Sequence, residues 1–507
     1  MQAVDINLKY VVNPAYKFKE DYLNVIITNN NPGRYDAGRH RDDITSSFAW
    51  RTHPDLAYLF SYFDGSRTLG ETAALFAERE GVEKERFLES VYPCIGNSDP
   101  ILIPADDRHW VSIPKNFLIP NPGGLVRDNL LQGINLPFIR ENFDLAEVRL
   151  RVPNSMTLML NTNCTADCVY CYADRPQIPE PFPFKRIQEL LKQAYDLGMP
   201  DVDVDGGEFF LYKDWRQLLE TMRLYDYVPN ISTKHPLTEE IVNDLTRLGI
   251  HHIQLSIDSV DKAEIRQMLQ VDDAYLGKVL QGLRLLDEAG FDITVKPVIT
   301  RYNDSEKSLN ATIDTLTSFD NVKWIDFTPA NFSQFRQPIY YSSRAQLDRL
   351  KTIVEQRNKT CKSALAFAGY EEPQTPAQRQ ENWERRPMCT GNVQGFFVLP
   401  DGKVTLCEQL YWHPFFILGN LTRQSIMEMW NSEKALSLWN ISRGEIRGTS
   451  PCRLCFHFEE CRRGLGNCWR RAVAAYGARN YDFPAPDCPK APSAPEPFYI
   501  PLQDRRL

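Results

Sequence analysis

Three cysteines, Cys164, Cys168 and Cys171, stand in a C-x3-C-x2-C run. Spacing this close lets three thiolates reach one small inorganic centre from a single loop. Iron–sulfur clusters are held by Cys thiolates, usually four. Here three are local and no fourth lies within reach along the loop. A cluster held by three cysteines keeps one iron open for a ligand that is not protein. Zinc is an alternative centre, but its sites usually combine paired C-x2-C units with His, and no His lies close by. Reduced core cysteines are the remaining alternative.

Seven more cysteines fall in an ordered C-terminal pattern. Cys389 is followed after twelve residues by Gly402-x4-Cys407; then come Cys452-x2-Cys455-x5-Cys461, Cys468 and Cys488. Phe396–Leu410 reads as two strands about the Asp401-Gly402 turn, with Cys407 on the return strand. Two structural zinc sites are the other reading of this region. Cys361 has no assigned group. Cys94 reads as a small buried hydrophobe.

The 507 residues suggest two to four domains. Hydrophobic and charged fractions of 43% and 24% are those of a globular protein. A net charge of −8 disfavours general nucleic-acid binding, which wants a basic surface. No apolar run of eighteen residues suggests a membrane span. The mixed polar N-terminus does not read as a signal peptide. An even count of twelve cysteines would suit disulfides in a secreted chain. Without such a signal, ligation in a reducing cytoplasm is the better reading.

Residues 1–115 carry none of the candidate ligands. Strands are expected from Leu8 and Tyr22, then helices over about Pro54–Phe63, Thr68–Glu80 and Lys84–Tyr92, punctuated by Asp64-Gly65 and Gly81. A strand pair is expected from Ile101. This order predicts a winged-helix-like domain. The acidic run Glu71, Glu78, Glu80, Glu83 and Glu85 argues against DNA. Residues 116–150, with Pro and Gly-Gly, read as a bridge. From 151 to 335, strands beginning at Ser155, Asp201, His251 and Val322, with one in the stretch from Pro229 and one in the latter part of Tyr275–Asp304, alternate with helices, which implies βαβ units and a parallel sheet. Function in such sheets gathers at the strand C-termini, where the motifs fall. Residues 336–385 read as a linker, 386–490 as an auxiliary domain and 491–507 as a Pro-rich tail.

The first cysteine run, with Tyr170 before its third member, resembles the radical S-adenosylmethionine (SAM) signature. That resemblance implies a partial (β/α)6 barrel, SAM chelated at the open iron, and reductive cleavage to a 5′-deoxyadenosyl radical. Gly206-Gly207-Glu208 resembles the family's GGE motif, which binds the SAM amino group; Phe209 stands where the family usually has Pro. Two glycines permit close backbone approach to a ligand, and a carboxylate suits an ammonium. Ser232 and Thr233 resemble the strand end facing ribose and methionine, though T-N-G is the commoner text there. Ser256 and Asp258 resemble the S-x-D strand end. Arg266 is implied to pair with the SAM carboxylate, and Val298 to pack the adenine.

The C-terminal pattern resembles the SPASM extension of peptide-modifying radical SAM enzymes, with six residues rather than three between Cys461 and Cys468. The resemblance implies auxiliary cluster I on Cys389, Cys407 and Cys468, and cluster II on Cys452, Cys455, Cys461 and Cys488. The crossing of Cys468 and Cys488 is a family feature that spacing does not give. Either Cys361 completes cluster I or that cluster is open. The N-terminal module resembles the PqqD-like RiPP recognition element, in which a precursor's leader adds as a strand to a sheet edge; a structural cap is the alternative. Together these imply an α/β maturase of a ribosomally made peptide with three [4Fe–4S] clusters, SAM and a flavodoxin- or ferredoxin-type electron donor, and no nucleic-acid or membrane partner. Two auxiliary clusters suit a net oxidation, so a thioether or carbon–carbon crosslink is expected. Epimerisation, backbone excision, sulfatase-type formylglycine formation and a non-catalytic metal-binding scaffold are the alternatives. No catalytic acid or base is evident, and the eight histidines are scattered.

Overall fold

The computed structural model describes residues 4–29, 50–105, 109–173, 181–331, 333, 335–336, 338–369, 375–384, 386, 388–462 and 466–493. Most of the Pro-rich tail expected from the sequence, 494–507, lies outside them. The chain divides into two compact units. One comprises Met1–Met156 with Ala194–Val202 and Val393–Gly395; the other holds the rest.

The first unit contains β1 (Lys9–Val12), β2 (Tyr16–Asp21), β3 (Asn24–Asn29), β4 (Trp50–Thr52), α1 (Pro54–Phe60), β5 (Asp64–Thr68), α2 (Leu69–Glu80), α3 (Lys84–Val91), β6 (Ile101–Pro104), β7 (Trp110–Ile113), β8 (Leu118–Pro120) and α4 (Leu136–Asn142). The three expected helices are present. Thr68 and Glu71 form a capping box at the start of α2, and Gly81 ends that helix in the left-handed conformation. Strands pair antiparallel in the orders β5-β1-β8, β2-β3-β4 and β6-β7.

Two segments differ from the sequence expectation. Asp64-Gly65, read as punctuation, begins strand β5: a Cβ at Gly65 would lie 2.2 Å from the Leu125 carbonyl oxygen, so glycine there permits close packing. Residues 116–150, read as a bridge, are integral to this unit. Phe117, Leu118, Leu136 and Ile139 share a core with Tyr16, Phe18, Phe60 and Leu69, and Arg127 donates to the carbonyls of Val12, Asn13 and Tyr16. Cys94 is buried in that same core, as a small hydrophobe would be.

The alternating elements lie in the second unit, save the first two residues of β9 and β10 and the last three of α5: β9 (Ser155–Met159), α5 (Phe184–Asp196), β10 (Asp201–Asp205), α6 (Trp215–Leu224), β11 (Ser232–Thr233), α7 (Glu239–Arg247), β12 (His252–Leu255), α8 (Lys262–Leu269), α9 (Tyr275–Glu288), β13 (Asp292–Val295), β14 (Val298–Ile299), α10 (Glu306–Leu316), β15 (Val322–Pro329), α11 (Arg344–Asn358) and β16 (Ala364–Phe367). The sheet β11-β12-β13-β15-β14 is parallel throughout, and β16 joins it in parallel on β15. Its strands alternate: Ile253, Leu255, Ile293 and Val295 are buried, whereas Gln254 and Thr294 remain partly open. A parallel sheet with one face under helices and the other left polar is the half-barrel arrangement the sequence predicts. The first two expected barrel strands instead hydrogen-bond in a sheet of order β10-β9-β17-β18-β19, with β17 (Gly395–Val398), β18 (Lys403–Thr405) and β19 (Ile417–Asn420) supplied by the C-terminal region. β17 and β18 form the hairpin expected about Asp401-Gly402. No helix among the described residues is long and apolar enough to cross a membrane.

Candidate active site

The first cysteine loop leaves the end of β9 and is clamped from two sides. Leu160 N–H donates to the Asp205 carbonyl, Gly207 N–H to Asn161 and Glu208 N–H to Asn163, at 3.0, 2.8 and 2.6 Å. From the other side, Asp167 and Val169 N–H bond the Leu269 and Met268 carbonyls at the end of α8. Ser333 Oγ holds the Cys171 carbonyl at 2.6 Å, and Arg336 pairs with Asp167. The GGE turn thus positions the loop. A Cβ on Gly206 would sit 2.7 Å from Asn161 O, and one on Gly207 2.0 Å from Asn163 O. The close approach these glycines permit is to the cysteine loop's own backbone. Gly207→Ala is therefore expected to displace the loop, and iron analysis after reconstitution should show the loss of one cluster's worth of iron while the C-terminal complement stays.

Beneath the loop, Asp258 is a hub with a fully buried side chain. It accepts from the Tyr170 hydroxyl, from Lys234 Nζ at 3.0 Å and from Val298 N–H at 2.9 Å. Burial works against the Lys234 charge, but the Asp258 carboxylate outweighs it and holds the ammonium more strongly protonated than usual. Asn303 fixes the arrangement by donating to the carbonyls of Asp258 and Val298. Burial raises the Tyr170 and Tyr275 hydroxyls, with Asp258 adding to the effect, and pushes the Cys168 thiol up to about 12. A free Cys168 is therefore neutral, and a metal must displace its proton. Glu208 is also buried. It accepts from Thr233 Oγ1 at 2.6 Å and from the N–H groups of Lys234 and Phe210 at 3.1 and 3.3 Å.

The other candidates separate. Thr233, Glu208, Tyr170, Asp258 and Val298 converge. Ser232 is exposed, and its Oγ accepts from Gln254 rather than joining Thr233 at Glu208. Ser256 lends a backbone carbonyl 3.4 Å from Lys234 Nζ. Arg266 is displaced from the expected role: it lies exposed on α8, and Asp273 takes its charge at 3.1 Å. Sequence reasoning passed over Lys234, Asn303 and Tyr275, whose hydroxyl bonds the Lys234 carbonyl at 2.6 Å. Lys234 directly follows the Ser232-Thr233 strand end, a position that could have flagged it.

The C-terminal cysteines fall into two electrostatic neighbourhoods. Cys389, Cys407 and Cys468 act on one another; Cys452, Cys455, Cys461 and Cys488 form the other set. Cys361 belongs with neither. It follows α11, where its Sγ lies 3.9 Å from Arg357, itself paired with Asp314 of α10. Of the two alternatives the sequence left open for Cys361, completion of the first set finds no support in this packing beside Arg357. Cys361→Ser is expected to leave the iron content unchanged, as metal analysis beside Cys407→Ser would show. Glu408 and Arg470 are ionisable neighbours of the first set; Cys407 Sγ lies 3.7 Å from Glu408 Oε2.

No described cysteine is in a disulfide. Among the described residues, no three His, Cys, Asp or Glu side chains gather as they would round a single metal ion. All-thiolate sets without His suit iron–sulfur clusters, in which each ligand meets its own iron and the thiolates need not converge on one point. The donor chemistry fits the group.

One further cluster joins the two regions. Asp205, at the end of β10, lies near Glu408 and Tyr172, and Tyr172 also lies near Cys171 and Tyr411. The Asp205 side chain reaches solvent, yet enough protein surrounds it that desolvation, with a smaller contribution from Glu408, pushes its pKa up to about 6. It directly precedes Gly206, a place the sequence reading passed over.

Residues 159–314 match the radical SAM superfamily, and 389–462 match SPASM, an iron–sulfur cluster-binding domain. The chain is 27% identical over 351 residues to the PqqA peptide cyclase of Gluconobacter oxydans (strain 621H), covering 67% of this chain and 91% of that protein. It is 24% identical over 318 residues to the PqqA peptide cyclase of Streptomyces rochei, covering 61% and 84%. Streptococcus suis SuiB bound to S-adenosylmethionine superposes with a TM-score of 0.61 at 15% identity, over 94% of this chain and all of that one. SuiB bound to its precursor peptide SuiA gives 0.60 at 14% identity, over 95% and 100%. At these identities the structural likeness is one of fold.

Proposed function

We infer that this enzyme, with its radical SAM and SPASM domains, modifies a ribosomally made precursor peptide, and we propose that it closes a thioether or carbon–carbon crosslink. The observation that carries the reading is the C-x3-C-x2-C loop clamped at strand ends of the half-barrel unit, in a chain whose seven later cysteines form two sets. The names of the PqqA peptide cyclases and of SuiA-bound SuiB support a peptide substrate.

In this reading Cys164, Cys168 and Cys171 hold the SAM-binding cluster. Cys389, Cys407 and Cys468, and then Cys452, Cys455, Cys461 and Cys488, hold two auxiliary clusters, three in all. When bound and reduced, the first cluster and SAM supply a 5′-deoxyadenosyl radical that takes a hydrogen atom. The protein's part is position and charge. Asp258 fixes Tyr170, Lys234 and the Val298 backbone against the loop. Glu208 presents a carboxylate suited to an ammonium. The Lys234 ammonium suits a carboxylate of the bound cofactor, a role earlier expected of Arg266. Closing a crosslink removes two hydrogens: one as an atom, the other as a proton and an electron, and in this reading an auxiliary cluster would take that electron. Asp205 is the group poised to accept that proton. A flavodoxin- or ferredoxin-type protein is the proposed electron donor, the cytoplasm the proposed compartment, and the first unit the proposed leader-binding module.

Anaerobic reconstitution followed by mass spectrometry of the peptide encoded beside the gene tests the reading. With SAM and reductant, a loss of two hydrogens is expected. Deuterium uptake at unchanged mass balance would mean epimerisation, and a larger loss excision. Intact SAM and unchanged peptide would sink the proposal for that substrate. Leader binding is better tested with point variants than by truncation at Asn116, because a cut there opens the Phe117–Leu118 part of the first unit's core.

A further inference from the structure

We propose that Arg386 and Arg462 donate hydrogen bonds to cluster-ligating sulfurs of the second C-terminal cysteine set and make that centre the more easily reduced of the two in the domain. The inference rests on the reading that Cys452, Cys455, Cys461 and Cys488 hold a [4Fe–4S] cluster.

Arg386 places Nη2 3.0 Å from Cys461 Sγ. Its guanidinium is held in place by the Gly466 carbonyl at 3.0 Å and by stacking 3.6 Å over the Trp383 ring. Arg462 is 5% exposed and places Nη2 3.1 Å from Cys452 Sγ, with a second bond to the Asp482 carbonyl at 3.0 Å. Its planar group lies 4.8 Å over Trp469, and its Nη1 is buried without a hydrogen-bond partner. Among the described residues neither arginine is ion-paired with a carboxylate.

Two cations held this close to each other, one of them buried, repel, and they lack the counter-charge such groups normally require. Four neutral thiols do not supply it. Four thiolates on an iron–sulfur core carry net negative charge, and each added electron makes that charge one unit more negative. The guanidinium N–H groups therefore stabilise the reduced form more than the oxidised form. Net charge and hydrogen bonds to sulfur are levers that set cluster potentials. The first set has neighbours of both signs: the Glu408 carboxylate stands 3.7 Å from Cys407 Sγ, and Arg470 acts on Cys389. Two guanidinium groups bonded to sulfur at one centre, against opposed charges at the other, order the two potentials, so an electron leaving the first set runs downhill to the second.

The test uses the full chain with Cys164, Cys168 and Cys171 changed to Ala, which silences the first loop's signal. Iron and sulfide are counted, then the auxiliary centres are titrated electrochemically by paramagnetic resonance. In Arg386→Gln and in Arg462→Gln the reduced-to-oxidised ratio of one centre at a fixed potential should fall about tenfold, a downward shift of about 59 mV for one electron. Unchanged potentials with full iron content would overturn the proposal and leave the cluster assignment standing. Iron content that does not drop in Cys452→Ala/Cys455→Ala would overturn both. If the glutamine variants fail to assemble, the unaltered protein decides. With 15N-arginine incorporated, the reduced cluster should show hyperfine coupling to arginine nitrogen in pulsed resonance, and its absence refutes the hydrogen bonds.

Discussion

Replacing Asp258 with Asn should cut SAM cleavage about 100-fold and destabilise the half-barrel unit. Tyr170 and Val298 bond different carboxylate oxygens, so the amide can keep the Val298 N–H bond on its oxygen and turn its NH2 to Tyr170, whose hydroxyl can also accept. Lys234 would then keep a buried ammonium without its carboxylate 3.0 Å away. Breaking one partner of a buried pair costs about 3–5 kcal/mol. If about 3 kcal/mol of that is expressed in the geometry around Tyr170 and the cysteine loop, cleavage falls about 100-fold. Denaturant unfolding and the rate of 5′-deoxyadenosine release read the two effects separately. The double change Asp258→Asn with Lys234→Met removes both charges. It should restore most of the stability and none of the cleavage. Normal cleavage in the double variant would refute a site role for the pair and leave it a structural ion pair.

Asp205→Asn should give the opposite split. SAM cleavage continues, because the Asp205 side chain takes no part in the hydrogen bonds of the Asp258 hub, while formation of the proposed crosslink falls about 100- to 10,000-fold, the range expected for loss of a general base. The pH profile carries the sign. The Asp205 pKa is raised to about 6, and the base must be ionised, so formation of the proposed crosslink should rise with pH through about 6 and then level off. The same raised pKa means that ionising Asp205 costs stability. That cost is absent below the usual carboxylate range and complete above about 6. A profile through pH 6 that is the same in Asp205→Asn and the parent enzyme would assign the proton to another group.

The N-terminal unit shows how far local sequence signals reach. The α2 helix was legible because its cap residues, apolar face and terminal glycine all act within one segment. The β5 strand was not, because Asp-Gly-Ser-Arg-Thr has turn composition and becomes a strand only by pairing with β1. The same limit hid the affiliation of residues 116–150, whose prolines and glycines read as linker until Phe117 and Ile139 are seen in a shared core.

At the candidate site, the sequence alone determined the donor types and their grouping along the chain: three thiols within one loop, seven more in an ordered series, and a Gly-Gly-Glu turn after the second strand. These are legible because ligand spacing and glycine use are local. Only the tertiary structure decided which groups meet. Lys234 and Asp258 follow different strands, and Arg386 and Cys461 come from segments far apart in the chain; Cys361, close in sequence to the C-terminal set, lies beside Arg357 of α11. A buried charge is held by partners brought in by folding, and sequence order carries no record of those distances.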